Sequence, residues 1–286
     1  MKFKKIVEAS AQLAGLQIIN ALARSGGYRV RRGIKYGPHA RNRLDYYVRD
    51  RVRENVQGYS EDERTKLRPL VLFIYGGNWQ SGNRQDYRFV ADTLCGMGCD
   101  VVLPDYRLYP EVRFSSMLDD VRLAATWLLQ NEEIEAERPI FIMGHSAGAQ
   151  LGSLLCLNKE LLSHIDEVEN RITAFIGLSG PYDFYPYTEE SHWDLFAPEH
   201  EYPNSQAVNF VRPGAPPLYL LHGRDDNRVR RGHSKSLMEK QIAVGGRASR
   251  EVYAGIGHAD LVVSFSVFHR RRSKAVKDIR HFIESQ

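Results

Sequence analysis

The residues from Pro139 to Gln150 constrain this chain more than any others. Ile140-Phe141-Ile142-Met143 is a short apolar run that reads as a buried strand. Gly144, Ser146 and Gly148 then spell Gly-x-Ser-x-Gly, and Ala149 to Leu157 reads as the start of a helix. Strand, sharp turn and helix in that order put Ser146 at the tip of a strained turn. Glycines flank it because a Cβ at those positions would collide with the neighbouring strand and helix. The motif alone arises often by chance. Its context makes Ser146 a candidate nucleophile, against the plainer reading of a Gly-Ser turn without chemistry.

The rest of the chain supplies a frame for that turn. Tyr28 to Tyr36 and Leu44 to Val48 read as two first strands around Gly37-Pro38. Residues 49–68 are charged, lack apolar periodicity and read as an exposed loop. Pro69 to Tyr75 and Cys99 to Leu103 are continuous apolar runs, the pattern of strands buried on both faces. Ile172 to Leu178, Pro217 to Leu221 and Arg250 to Tyr253 read as further strands. Helical spacing is expected over 119–129, 230–244 and 259–284. This alternation predicts a mostly parallel α/β sheet with helices on both faces. No repeat or linker divides it, so residues 28–286 are expected to form one catalytic domain.

Residues 1–27 read as an N-terminal amphipathic helix. Glu8, Gln12, Gln17 and Asn20 interrupt its apolar run, which argues against an export signal or a membrane span. Packing on the body is expected ahead of peripheral membrane contact through residues 1–23. Residues 1–68 carry 16 Lys/Arg against 7 Asp/Glu, while the formal net charge of the whole chain is only +4. No nucleic-acid motif accompanies that basic portion, so nucleic acid is not an expected partner. Cys95, Cys99 and Cys156 cannot all pair, and no His or acid joins them at metal spacing. No metal site is expected, and a reducing, cytoplasmic compartment is, with membrane-associated or periplasmic placement as the alternative.

A serine hydroxyl needs a base within hydrogen-bond reach. His258 follows the last predicted strand in a loop containing Gly255 and Gly257, and it is the expected base. Asp225 and Asp226 follow the preceding strand; only one can face the imidazole. Asp226 is favoured, with Asp225 and then Asp183 behind it, to hold the His tautomer and stabilise the imidazolium. The backbone N–H groups of Gly76, Gly77 and Ala147 are the expected oxyanion donors, with Asn78 beside them. Residues 181–215 are rich in Pro and aromatics without clear periodicity and are long for a plain connection. They read as a cap whose aromatics shape an apolar pocket, against a merely structural excursion. Tyr75, Asn78, Trp79, His145 and Tyr182 are the expected pocket residues.

Together these pieces resemble the α/β-hydrolase esterases related to hormone-sensitive lipase, carboxylesterases and bacterial feruloyl-esterase-like enzymes. The matching segments are Tyr75 to Trp79, Pro104 to Leu108, Gly144 to Gly148, His222 to Asp226 and Gly257-His258. The resemblance covers about residues 28–284. It implies an α/β-hydrolase fold with a cap insertion and a serine carboxylesterase working through an acyl-enzyme on Ser146, without cofactor. In the family pattern the acid is the fifth residue counted from the His of His-Gly, which supports Asp226. Tyr75 stands where the family has a His that braces the oxyanion loop. Small to medium acyl or aryl esters are the expected substrates. The alternatives are an arylformamidase-type amidase, a lipase, an acyltransferase and a catalytically silent binding protein.

Overall fold

The computed structural model describes residues 15, 17–23, 27–49, 68–134, 137–165 and 171–286. The expected loop over 49–68 and most of the expected N-terminal helix lie outside them; residues 17–22 are helical.

Eight strands form one sheet in the order β1-β2-β4-β3-β5-β6-β7-β8. They are β1 (Tyr28–Lys35), β2 (Arg43–Arg49), β3 (Leu70–Ile74), β4 (Asp100–Pro104), β5 (Ile140–His145), β6 (Ile172–Leu178), β7 (Leu218–Gly223) and β8 (Ala248–Tyr253). β1 and β2 pair antiparallel with each other, and β2 pairs antiparallel with β4. All later pairings are parallel. Every residue of β3, β4, β5 and β7 is buried, as their unbroken apolar runs require of strands covered on both faces. β1 is the edge, and its Arg29, Arg31, Arg32 and Lys35 discourage pairing with another chain.

The helices are α1 (Arg88–Gly96), α2 (Phe114–Gln130), α3 (Ala147–Leu157), α4 (Glu190–Leu195), α5 (Gly232–Ala243), α6 (Asp260–Val263) and α7 (Lys274–Glu284). α3 packs on β3, β5 and β6 and carries α2 on its outer side. α1 is joined to the segment after α6 by Thr93 Oγ1 donating to Phe265 O and by Arg270 paired to Asp92 Oδ2 at 2.6 Å. No helix of the described residues is long and apolar enough to cross a membrane.

Two expectations change. The closing helix expected over 259–284 is broken into α6 and α7. Ser273 caps the second piece, its hydroxyl accepting from Val276 N at 3.2 Å, so the helix restarts there. Helix α1 was not expected. It is only nine residues long, and its polar Asp92 and Thr93 are buried with its apolar side chains, so its period is short and mixed.

The parallel strands all end on one side of the sheet. Loops following β3, β5, β7 and β8 therefore converge there, the place where open α/β sheets bind ligands.

Candidate active site

Ser146 joins β5 to α3 with φ 53° and ψ −121°. A non-glycine residue in that region is strained by roughly 1–3 kcal/mol. The surroundings hold it there. Its N–H donates to Leu178 O at 2.9 Å, and its carbonyl accepts from Ala149 and Gln150 in the first turn of α3. The flanking glycines are required by close approach. A Cβ on Gly148 would lie 2.1 Å from Ile74 O, and one on Gly144 would lie 2.4 Å from Gly148 O. Ser146 is 8% exposed, open just enough to be reached.

His258 Nε2 lies 2.8 Å from Ser146 Oγ, and its Nδ1 lies 2.8 Å from Asp226 Oδ2. A carboxylate accepts, so Nδ1 carries the proton and Nε2 presents a lone pair to the serine hydroxyl. Asp226 Oδ1 accepts from the N–H groups of Arg228 at 3.0 Å and Val229 at 2.8 Å. His222 Nε2 sits 2.9 Å from Val229 O and 3.3 Å from Asp226 Oδ2, donating between them. Burial pushes the Asp226 carboxyl up, but the hydrogen bonds from His222, His258 and Val229 outweigh it and hold the acid well below the usual carboxylate range. Asp225 is exposed, and Asp183 is bound by Ser236, with Lys240 at 3.6 Å, so neither reaches the imidazole.

The loop after β3 packs directly against the elbow. A Cβ on Gly76 would lie 3.0 Å from Ser146 Cβ, and one on Gly77, where φ is 144°, would lie 2.0 Å from Ser81 O. Asn78 and Trp79 both have positive φ, at 54° and 58°. This strained turn is tied at several points. Gly77 O accepts from Gln80 N and Ser81 N, and Trp79 O accepts from Tyr109 N. Trp79 Nε1 donates to Gln150 Oε1 at 3.1 Å, and Gln150 Nε2 donates to Ser205 O at 2.7 Å. Ala147 is the first residue of α3, so its N–H has no carbonyl one turn earlier in the helix to take it.

Tyr75 lies beneath this loop. Its ring stacks between Tyr106 at 4.7 Å and Tyr87 at 5.4 Å. Its hydroxyl accepts from Arg41 Nη2 at 3.3 Å and donates to Asp105 Oδ1 at 3.2 Å. Arg41 also donates to Gly82 O, at the far end of the loop, and to Tyr106 O. Tyr87 OH donates to Gly76 O at 3.2 Å. Asp105 also pairs with Arg84.

A cavity of about 90 Å³ adjoins Ser146, lined by Asn78, Trp79, Phe184, His192, Arg228 and His233 among others. Of the expected pocket residues, Asn78 and Trp79 line it; Tyr75, His145 and Tyr182 do not. Tyr182 is fully buried with its ring against Phe175, and Tyr75 is spent in the brace. His145 lies under His258, with Nε2 3.1 Å from His258 O. Burial, reinforced by the His258 charge, pushes the His145 imidazole down to about 3.

The cap corrects a second expectation. Its aromatics mostly pack on one another, as in Tyr187 on Phe196 at 4.9 Å and Tyr187 on Tyr202 at 5.2 Å. Trp79 joins them through Phe184, His192 and Phe196. Phe184 is the one aromatic of Phe, Tyr or Trp type from the cap that lines the cavity, and the remaining wall is largely polar. Sequence reasoning missed Gln150, Arg41 and Arg228. Gln150 had a signal, since it lies one helical turn after Ser146. Arg41 had none, standing 34 positions before the tyrosine it holds. Among the described residues, no group of three or more His, Cys, Asp or Glu side chains gathers where it could hold a metal ion.

The family model described as BD-FAE matches residues 57–241. The chain is 29% identical over 256 residues to an isoprenylcysteine alpha-carbonyl methylesterase of Arabidopsis thaliana, covering 81% of this chain and 57% of the relative. It is 26% identical to the probable carboxylic ester hydrolase LipM of Mycobacterium tuberculosis, covering 68% of this chain and 48% of the relative. The chain thus spans about half the length of these curated relatives. Among solved structures, a phosphonate-inhibited esterase B from Lactobacillus rhamnosis superposes with a TM-score of 0.78 at 17% identity, over 99% of this chain and 94% of that one, a likeness of fold.

Proposed function

The chain belongs to the BD-FAE family, and from that premise we propose that it is a serine carboxylesterase acting on small esters, with Ser146 as nucleophile, His258 as base and Asp226 as the orienting acid. The observation that carries this reading is the unbroken hydrogen-bond chain from Ser146 Oγ through His258 to Asp226, both links at 2.8 Å.

The chemistry follows from who can hold which proton. Ser146 Oγ attacks the ester carbonyl as His258 Nε2 takes its proton. The imidazolium so formed is stabilised by Asp226, which stays ionised and fixes the ring. Negative charge developing on the carbonyl oxygen meets the N–H groups of Ala147, Gly77 and Gly76, already in place on two rigid turns. Collapse breaks the bond to the alcohol, which leaves with the proton from His258. A water molecule then gives its proton to His258 and attacks the acyl-serine, and the acid is released as Ser146 recovers its proton.

Ser146→Ala should fold as the parent does and release no burst of nitrophenol from a p-nitrophenyl ester. Full turnover by that variant would sink the assignment. An amidase of the arylformamidase type is distinguished by comparing N-formylkynurenine with aryl esters. The expected partner is a small-molecule ester. Ile18 and Leu22 are exposed at 59% and 49%, which supports a peripheral contact of the N-terminal segment with lipid; vesicle co-sedimentation with and without residues 1–23 tests it. Three free, buried cysteines support a reducing compartment, with the cytoplasm as the proposal.

A further inference from the structure

Arg228 stands two residues after the proposed acid. Its N–H donates to Asp226 Oδ1 at 3.0 Å, so the turn that holds the carboxylate also fixes where the Arg228 side chain leaves the backbone. That side chain is exposed and lines the cavity beside Ser146. No carboxylate among the described residues pairs with it. This sets it apart from Arg84, Arg107, Arg138 and Arg270, which are each matched to an aspartate.

The rest of the wall leaves that charge unanswered. Glu189 is the one carboxylate lining the cavity, and its Oε2 is turned to His192 Nε2 at 3.5 Å. Burial first, and the Arg228 charge after it, push the His192 imidazole down against the opposing pull of Glu189. His233 is also pushed down by burial, with its Nδ1 against Asp183 O. Asn78 and Thr188 add polar groups. A guanidinium facing a small cavity without a counter-ion is a ready fork for a carboxylate or another planar anion.

We propose that this cavity selects short esters that carry an anionic group a few bonds from the scissile carbonyl, with Arg228 as the counter-ion of that group. The inference rests on the esterase reading of Ser146. The anion could belong to the acyl half or to the alcohol half of the ester, and the test has an arm for each.

Monoethyl glutarate is compared with ethyl pentanoate for an acyl-side charge, and 4-acetoxybutyrate with pentyl acetate for an alcohol-side charge. Hydrolysis is followed by pH-stat on the full chain. In at least one arm the charged ester should exceed its neutral counterpart by about tenfold in kcat/KM, the scale of a partly exposed charge-assisted contact. That ratio should collapse towards one in Arg228→Gln, survive in part in Arg228→Lys, and shrink as ionic strength rises. A ratio at or below one in both arms of the parent protein overturns the inference. So does an Arg228→Gln variant that loses the same factor on charged and neutral esters. Failure to hydrolyse any of the four esters, with no labelling of Ser146 by a fluorophosphonate, overturns the esterase reading and this inference with it.

Discussion

Ser146 occupies a backbone conformation that few serines adopt, and the reason is where it leaves the hydroxyl. At the head of α3 and the end of β5, that hydroxyl lies 2.8 Å from His258 Nε2. Removing the hydroxyl should lower kcat by about 10⁴-fold or more, the scale seen when the nucleophile of a triad is lost, with the thermal midpoint unchanged because alanine keeps the Cβ and the same strained backbone. His145 makes a second residue-scale prediction, about stability. Its imidazole titrates near 3 in the fold, because of burial and the His258 charge, against an ordinary value of about 6.5 in the unfolded chain. Between those values the unfolded chain binds the extra proton, so stability falls as pH drops from about 6.5 towards 3, by up to about 1.4 kcal/mol per pH unit. Denaturant titrations at pH 7, 6 and 5 should show a shallower loss in His145→Asn than in the parent. Equal slopes would mean His145 does not stay neutral. The strand, turn and helix around Ser146 were legible because an apolar run and flanking glycines encode them, while the nearness of His258 and Asp226 to Ser146 was suggested by resemblance to the family pattern. Arg228 was not, since an arginine on a polar turn looks like any solvated charge until the fold brings it to the cavity beside Ser146.

At the scale of elements, the loop after β3 is the part whose support is least local. Two consecutive non-glycine residues with positive φ will not stay so unaided, and their ties come from three separate places. Gln150 reaches from α3, Tyr109 from the loop after β4, and Arg41 from the turn between β1 and β2. Arg41 bridges the two ends of the loop, from Tyr75 OH to Gly82 O. If the loop amides act on the transition state as proposed, loosening the loop misplaces them, and Arg41→Ala should lower kcat by about tenfold with little change in KM. A trifluoromethyl-ketone inhibitor should weaken in step with kcat/KM, while a ground-state competitor should not. Equal weakening of both would assign Arg41 to folding alone. The central strands were readable because parallel strands buried on both faces leave continuous apolar runs, whereas their order was not. The brace was hidden because it joins residues far apart through hydrogen bonds that no periodicity records. The cap misled in the opposite sense: its aromatics are conspicuous in the sequence, yet they mostly satisfy one another and leave a polar wall beside Ser146.

Across the whole molecule, stability and chemistry lie at opposite ends of the sheet. Asp100 begins β4, at the ends of the parallel strands away from Ser146. There Arg138 Nη2 meets its Oδ2 at 2.8 Å, both side chains 2% exposed, and Arg49 N donates to its Oδ1 at 2.8 Å. Without Arg138 the buried Asp100 carboxylate keeps Arg68 Nη1, at the longer 3.5 Å, as a cationic partner, so Arg138→Met should cost about 3 kcal/mol in urea unfolding while kcat per folded molecule holds. The exposed pair Arg113–Asp194 ties α4 to the start of α2 at 2.6 Å, but Arg113→Ala should cost less than about 1 kcal/mol, since water screens it. Such a separation lets the strained loops at one end be held by a core at the other. In this reading the fold presents one reactive serine. Intact-mass measurement of the full chain after exposure to a fluorophosphonate, followed by peptide mapping, is the decisive experiment. A single phosphonyl group per molecule is expected, carried on Ser146, with the adduct lost in Ser146→Ala and slowed by orders of magnitude in His258→Ala. An unmodified Ser146, or a sole adduct on another residue, would contradict it.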